Sequence, residues 1–437
     1  MDELDKGTWT KKAPIPVAME GLAVGVVDNK IYAVGGAEQR PGGSLVPRSS
    51  LNLMYDPASD RWHELAPLPT PLSHIGLAEL DGKLYAVGGF VDIVHMGPQD
   101  LVFVYDPQSD RWSELTKLST PKGSVSAAAL DGRIHIFGGR RCDKIVRISP
   151  PGAPAMFEGF GLLSSHEIYD PANGKWEEGT PFPDPPSDHM GIAVLNGKVH
   201  LFGGRTAGFT DLVDRHDVYD PRTDTWAAAR PLPRPRSDGA SAVIDELIVY
   251  AGGECKPGGT PGSANTFDDV TAYDAKTDRW TALVPLPQAC HGISAATVKG
   301  VAYFMGGACC CGGGASRDLY ALTLGDPLAN FYGNTLNIVE PQRTLKLRYR
   351  ADHTFVGIDD KGLKISGTWE RSGDRISMLQ NPSGLSGQQP WKRSGYIGGV
   401  HKVGDRWQRT TADGATVHLS LTAGSPGDDL DPSPGHR

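Results

Sequence analysis

Short apolar runs, each ended by a Gly-Gly pair, recur along the first three quarters of the chain; Leu84-Tyr85-Ala86-Val87 before Gly88-Gly89 is typical. The first glycines of the six pairs, Gly35, Gly88, Gly138, Gly203, Gly252 and Gly306, are 49 to 65 residues apart. Runs of this length, bounded by turn residues, predict β-strands. Five units carry a second marker, Tyr55-Asp56-Pro57, Tyr105-Asp106-Pro107, Tyr169-Asp170-Pro171, Tyr219-Asp220-Pro221 and Tyr273-Asp274-Ala275, and then Trp62, Trp112, Trp176, Trp226 and Trp280. Beyond Pro327 the Gly-Gly pairs stop. Short alternating runs such as Leu345-Lys346-Leu347-Arg348-Tyr349 and Arg375-Ile376-Ser377-Met378 take over, predicting a small antiparallel sheet or barrel.

The sixth unit has Gly306-Gly307 and Tyr320 but no following tryptophan. Its missing outer strand has a counterpart at the start of the chain. Gly7-Thr8-Trp9-Thr10 and Ala13-Pro14-Ile15-Pro16 mirror Arg61-Trp62-His63-Glu64 and Ala66-Pro67-Leu68-Pro69. The first strand is expected to complete the last unit, since an open ring leaves two sheet edges with unpaired backbone groups. Six units of Gly-Gly, Tyr and Trp in fixed order resemble the kelch motif, one four-stranded blade per repeat. The resemblance implies an all-β fold: a six-bladed kelch β-propeller over residues 7–325, closed by the amino-terminal strand. A second resemblance, carried by Tyr332-Gly333-Asn334-Thr335, Tyr349 to Phe355 and Gly367-Thr368-Trp369, is to a small lipocalin-like β-domain of bacterial proteins, expected over 327–424. The Pro-, Gly- and Asp-rich stretch 425–437 is expected to be disordered.

Composition narrows the partners. A net charge of -8 gives no nucleic-acid footprint. No stretch reaches the roughly 18 apolar residues of a membrane span. The opening residues Met1 to Lys6 show no apolar export signal; the expectation is a bacterial, exported protein, periplasmic or secreted if a signal has been removed, and otherwise a cytoplasmic one.

The chemistry is expected on the propeller axis. Twelve and ten residues before each first glycine stand only small residues: Ala23, Gly76, Ser126, Gly191, Ala240 and Ser294, then Gly25, Ala78, Ala128, Ala193, Ala242 and Ala296. Strands converging on a narrow axis suit such residues, so both sets are expected to face the channel. Alternation extends the same direction to the fourteenth position, Gly21, His74, Ser124, His189, Asp238 and Gly292. His74, His189 and Asp238 at one mouth suit a divalent metal with open positions, or acid-base chemistry without one. Glu20, Asp188 and His291, one residue earlier, add a carboxylate and a base; a plain wet channel entrance is the alternative.

Loops after the Gly-Gly pairs should emerge at the same end, bringing Glu38, Arg140, Arg141, Arg205, Glu254 and the Cys309-Cys310-Cys311 triplet. Arg140 and Arg205 are suited to clamp a carboxylate or phosphate, or to pair with acidic loop residues such as Asp143 or Asp211. With Ser124, Asp188 and Glu254 they form the expected ligand-binding set. All six cysteines fall on this face. Cys255, Cys290, Cys309, Cys310 and Cys311 suit disulfides, a soft metal site for copper or zinc, or free thiols. The longest loop, Gly139 to Tyr169, with Pro150 to Pro154, Met156 and Phe157, is expected to fold over the mouth as a lid.

Kelch propellers include binding scaffolds, sugar epimerases and copper oxidases, so the fold does not choose among functions. The oxidase branch needs tyrosines at its copper, and the mouth ring has none. The expectation is a site for a small anionic or polyhydroxylated ligand, serving an isomerase- or lyase-type enzyme with or without metal. A protein-interaction scaffold using the loop face or the carboxy-terminal domain, and a copper oxidoreductase, are the alternatives.

Overall fold

The computed structural model describes residues 6–324, with breaks at 40–44, 47, 93–94, 148–156, 209–210 and 261, and further on the strands between 335 and 422 with adjoining turns. Pro150 to Pro154 and Met156 of the expected lid, and the tail from 425, lie outside the described residues. Every regular element described is a strand.

Six four-stranded antiparallel sheets follow one another as blades. Their inner strands are Ala23–Val27, Gly76–Leu80, Ser126–Leu130, Gly191–Leu195, Ala240–Ile244 and His291–Val298. The inner strands of successive blades touch, and that of blade six touches that of blade one. Blade six takes its outer strand from the amino terminus: Thr8–Lys11 pairs antiparallel with Leu319–Thr323, Trp9 opposite Leu322.

The repeated Tyr and Trp hold the blades together. In blades one, two, four and five the tyrosine hydroxyl donates to an aspartate in the turn before the outer strand, as Tyr105 to Asp110 Oδ1 at 2.6 Å. That aspartate adopts left-handed φ and also accepts from the backbone of the preceding blade, as from Ala66 N at 2.8 Å. The tryptophan indole reaches the preceding blade too: Trp112 to Ala66 O at 3.0 Å, Trp226 to Thr180 O at 3.0 Å, Trp280 to Arg230 O at 2.8 Å. Trp62 reaches Ala13 O at 2.9 Å, beyond the strand that the amino terminus lends to blade six.

The small residues of the inner strands correct the expected phase. Ala78, Ala128, Ala193, Ala242 and Ala296 are buried in separate interblade clusters, Ala296 among Ile31, Tyr55 and Tyr303. A Cβ on Gly25 would stand 2.6 Å from Leu84 Cδ2, and one on Gly191 2.2 Å from the Phe202 ring. They are small because neighbouring side chains cover them; the intervening positions Val24, Leu77, Ala127, Ile192, Ser241 and Ala295 line an axial cavity of 370 Å³, which Ala78, Ala128 and Ala193 of the small set also border.

Each first glycine of a pair has a steric reason. Gly88 has φ +63°, and a Cβ there would lie 2.2 Å from the Lys122 carbonyl oxygen. Gly88→Ala is expected to cost at least about 2 kcal/mol in urea denaturation. Gly132→Ala, at φ +74° in open space, should cost only about 1 kcal/mol.

Residues 335–422 contribute an eight-stranded antiparallel sheet in which Thr335–Glu340 pairs with both Arg343–Tyr349 and Thr416–Thr422. Leu345, Leu347, Phe355 and Trp369 are buried on it.

Candidate functional site

The mouth ring forms, but by a different route from strand alternation. Gly21, His74, Ser124, His189, Asp238 and Gly292 all have φ between +49° and +58°. Five of the six are left-handed turns just before the inner strand, so alternation does not extend to them; only Gly292 lies within one. Backbone bonds link them around the axis: Gly21 N to Gly292 O, His74 N to Gly21 O, Ser124 N to His74 O, Asp238 N to His189 O and Gly292 N to Asp238 O, each 2.9–3.1 Å. Gly21 makes room for an imidazole, since a Cβ there would stand 3.0 Å from His74 Nε2.

The residue after each Gly-Gly pair lies beside the residue preceding the ring. Phe90 bridges to Ser73, Arg140 to Gly123 and Arg205 to Asp188, and Glu254 N donates to Ser237 O at 2.9 Å. The expected second layer is therefore at the same end as the ring.

Two groups of side chains meet there. In the first, the ligating nitrogens of His74, His95 and His189 lie within 4.8 Å of one another. Nε2 of His95 and Nε2 of His189 are 3.1 Å apart, and the Ser124 hydroxyl is 3.5 Å from the latter. Glu158 Oε1 lies 2.8 Å from His95 Nδ1 and Asp188 Oδ2 lies 3.1 Å from His189 Nδ1; neither contact is aligned as a directed hydrogen bond. Burial holds His74 down at about 4, with the neighbouring His189 contributing, and burial together with Arg140 holds His95 well below the usual imidazole range. Both are neutral at pH 7.

The second group joins Asp238, Glu254 and His291, with Glu20 beside them. Asp238 thus groups with His291 rather than with His74 and His189, a correction to the expected three-residue set. His291 Nδ1 donates to Asp238 Oδ2 at 2.8 Å and Nε2 to Cys310 O at 2.8 Å. With two acceptors and both nitrogens donating, the ring is an imidazolium. Burial alone would lower its pKa, but the bond to Asp238 and the charges of Glu254 and Glu20 outweigh it and push the value up to about 10. His291 therefore offers no lone pair to a metal or a substrate proton, contrary to its expected role as a base. Burial pushes Glu20 up to about 7; the His291 cation opposes the rise, and Asp238 and Glu254 add to it.

The arginines are corrected as well. Arg140 and Arg205 are fully buried. Arg140 bonds Asp188 Oδ2 at 2.6 Å and Glu158 Oε1 at 2.5 Å; Arg205 bonds Glu254 Oε2 at 2.6 Å and Glu158 Oε1 at 3.1 Å. The chain's own carboxylates take most of the fork positions expected to hold a ligand anion, with Arg140 Nη2 left without a partner among the described residues. Arg141 pairs with Asp143 at 2.6 Å on the surface, and Glu38 accepts from Ser49 at 3.1 Å.

Cys255 and Cys311 lie at disulfide distance, with Cα atoms 5.1 Å apart. Cys309 Sγ and Cys310 Sγ are 3.7 Å apart, Cys142 stands apart in blade three, and burial pushes the Cys290 thiol up to about 12. The five clustered cysteines do not converge on one point with His291.

His95 and Glu158 were missed. His95 sits at the turn between Phe90–Asp92 and Met96–Pro98, in the loop after Gly88-Gly89. Glu158 sits in the hairpin Arg140–Arg147 with Phe157–Leu162, within the long blade-three loop. The rule that placed Arg140 and Glu254 at the mouth, applied to the second loop, finds His95.

Two family models described as Kelch motif match residues 19–69 and 71–119. Residues 19–119 therefore carry kelch motifs. Among its kelch relatives, Kelch-like protein terF of Aspergillus terreus is 29% identical over 306 residues, 69% of this chain and 52% of that one. Kelch-like ECH-associated protein 1B of Danio rerio is 35% identical over 89 residues, 20% of this chain and 15% of its own length. The chain spans about half or less of the length of these curated relatives. The solved structure of YjhT aligns with a TM-score of 0.58 and 15% identity, covering 72% of this chain and 99% of that one, and shares the kelch propeller fold.

Proposed function

We propose that the channel mouth of this kelch propeller binds a small, neutral, hydroxyl-rich ligand and exchanges a proton with it through Glu20. The observation that carries the reading is a carboxyl group raised to about 7 at the mouth, with no hydrogen-bond partner among the described residues. A carboxyl group titrating near neutrality is suited to general acid-base work. Asp238 and cationic His291 stand beside it as fixed charges rather than as a second base. A neutral ligand is favoured over an anion because Arg140 and Arg205 are already matched by Asp188, Glu158 and Glu254. The chemistry is of isomerase type, removal and return of a proton next to a carbonyl. We place this function in residues 7–325, with the carboxy-terminal sheet as a separate domain.

The test is hydrogen exchange. A panel of neutral aldoses and ketoses incubated with the protein in deuterated water should show one member incorporating deuterium, at a rate rising with pH through about 7. Glu20→Gln should slow exchange at least about 100-fold with an unchanged melting profile. Neither exchange nor binding by any member of the panel removes the reading.

A further inference from the structure

The geometry points to a three-imidazole metal site formed by His74, His95 and His189, which we infer takes one borderline divalent ion of the Zn²⁺, Co²⁺ or Cu²⁺ type. It goes beyond the acid-base reading, uses none of its residues, and stands or falls separately.

Three ligands come from separate elements: ring turns supply His74 and His189, and the blade-two hairpin supplies His95. Around a tetrahedral zinc, bonds of about 2.0–2.1 Å place neighbouring nitrogens about 3.3 Å apart. The Nε2 atoms of His95 and His189 are 3.1 Å apart, already near that spacing. Glu158 and Asp188 face the opposite nitrogens at 2.8 and 3.1 Å, which favours the proton on Nδ1 and turns both Nε2 lone pairs toward the same point. Two lone pairs at that separation repel unless a cation lies between them. Carboxylates behind ligating imidazoles are the common outer shell of such sites.

Three neutral nitrogens select a borderline metal over calcium or magnesium, and leave a fourth position for water or a ligand. The Ser124 hydroxyl stands 3.5 Å from His189 Nε2.

The full chain, stripped with a chelator and dialysed, is titrated with Zn²⁺ by calorimetry and with Co²⁺ by absorption. One ion per chain is expected, with the intense visible bands of tetrahedral cobalt and no sulfur charge-transfer band. His95→Gln, which keeps a polar group facing Glu158, and His189→Ala should each weaken binding at least about 100-fold, the upper end of the loss from removing an outer-shell partner alone. Glu20→Gln and the pair Cys309→Ser with Cys310→Ser should leave affinity unchanged. Circular dichroism and melting curves establish which variants are folded. Absence of a stoichiometric site in the folded protein overturns the inference. So does affinity that survives in folded His95→Gln and His189→Ala, or that disappears with the cysteines.

Discussion

Lowering the pH from 7 to about 4 is expected to strip several kcal/mol from the stability of the propeller, through two buried imidazole pairs. In blade three, His166 Nδ1 donates to the Thr180 carbonyl at 3.2 Å, which leaves Nε2 to accept from His135 Nδ1 at 3.0 Å. Blade four repeats this, with His216 Nδ1 donating to Arg230 O at 3.2 Å and His200 Nδ1 donating to His216 Nε2 at 2.9 Å. The carbonyls fix every tautomer, and a further proton on either acceptor would set two N–H groups against each other. Burial, with the partner ring next in order for His166 and His200, holds His135 and His166 at about 4 and His200 at about 3; burial also lowers His216. The folded values lie below the ordinary 6.5, so the unfolded chain binds more protons between pH 6.5 and 4. Stability is then complete above about 6.5 and falls as the pH drops toward the folded values. Holding an imidazole near 4 makes charging it cost roughly 3 kcal/mol. Urea midpoints at pH 7, 5.5 and 4.5 measure the slope. His135→Gln with His200→Gln keeps a donor in each pair and removes two of the six imidazoles held low, His74 and His95 included, so the slope should fall by about a third. An unchanged slope would assign the acid sensitivity elsewhere.

Replacing Arg205 with methionine is expected to destabilise the propeller by about 3–5 kcal/mol, or to prevent folding. The guanidinium is buried against Glu254, Glu158 and Asp188, and no solvent is at hand to take over from it. Methionine fills most of the volume, so the loss reports unpaired carboxylates rather than a cavity. Arg234, whose pair with Asp269 is exposed, provides the control: Arg234→Ala should stay within about 0.5 kcal/mol. If Arg205→Met matches Arg234→Ala in urea, the cluster holds its charges by some means other than these ion pairs.

The repeat was legible because its markers bond across fixed distances in sequence. Tyr105 needs Asp110, and Trp112 needs the carbonyl of Ala66 one blade back, so the pattern recurs wherever the packing does. The borrowed strand at Thr8–Lys11 was legible for the same reason. The mouth ring was found with a faulty premise. Its residues do meet, yet left-handed turns at His74, His189 and Asp238 reset the direction of the side chains, and Ala78 and Ala296 pack between blades one step out of phase with the channel. Pairing within the cluster lay beyond a repeat-based reading. That Arg205 also meets Glu158 depends on the long blade-three loop, which breaks the repeat, and that His291 faces an acceptor on each side depends on the backbone carbonyl of Cys310, which side-chain identity does not reveal.

The strand that blade six borrows has a consequence for synthesis. Thr8–Lys11 is made more than three hundred residues before its partner Leu319–Thr323. At roughly 5–20 residues per second, it waits on the order of tens of seconds on the ribosome with an exposed backbone edge. Five blades can pack during that interval, but the last sheet reaches its full width only after the chain has doubled back on its own beginning.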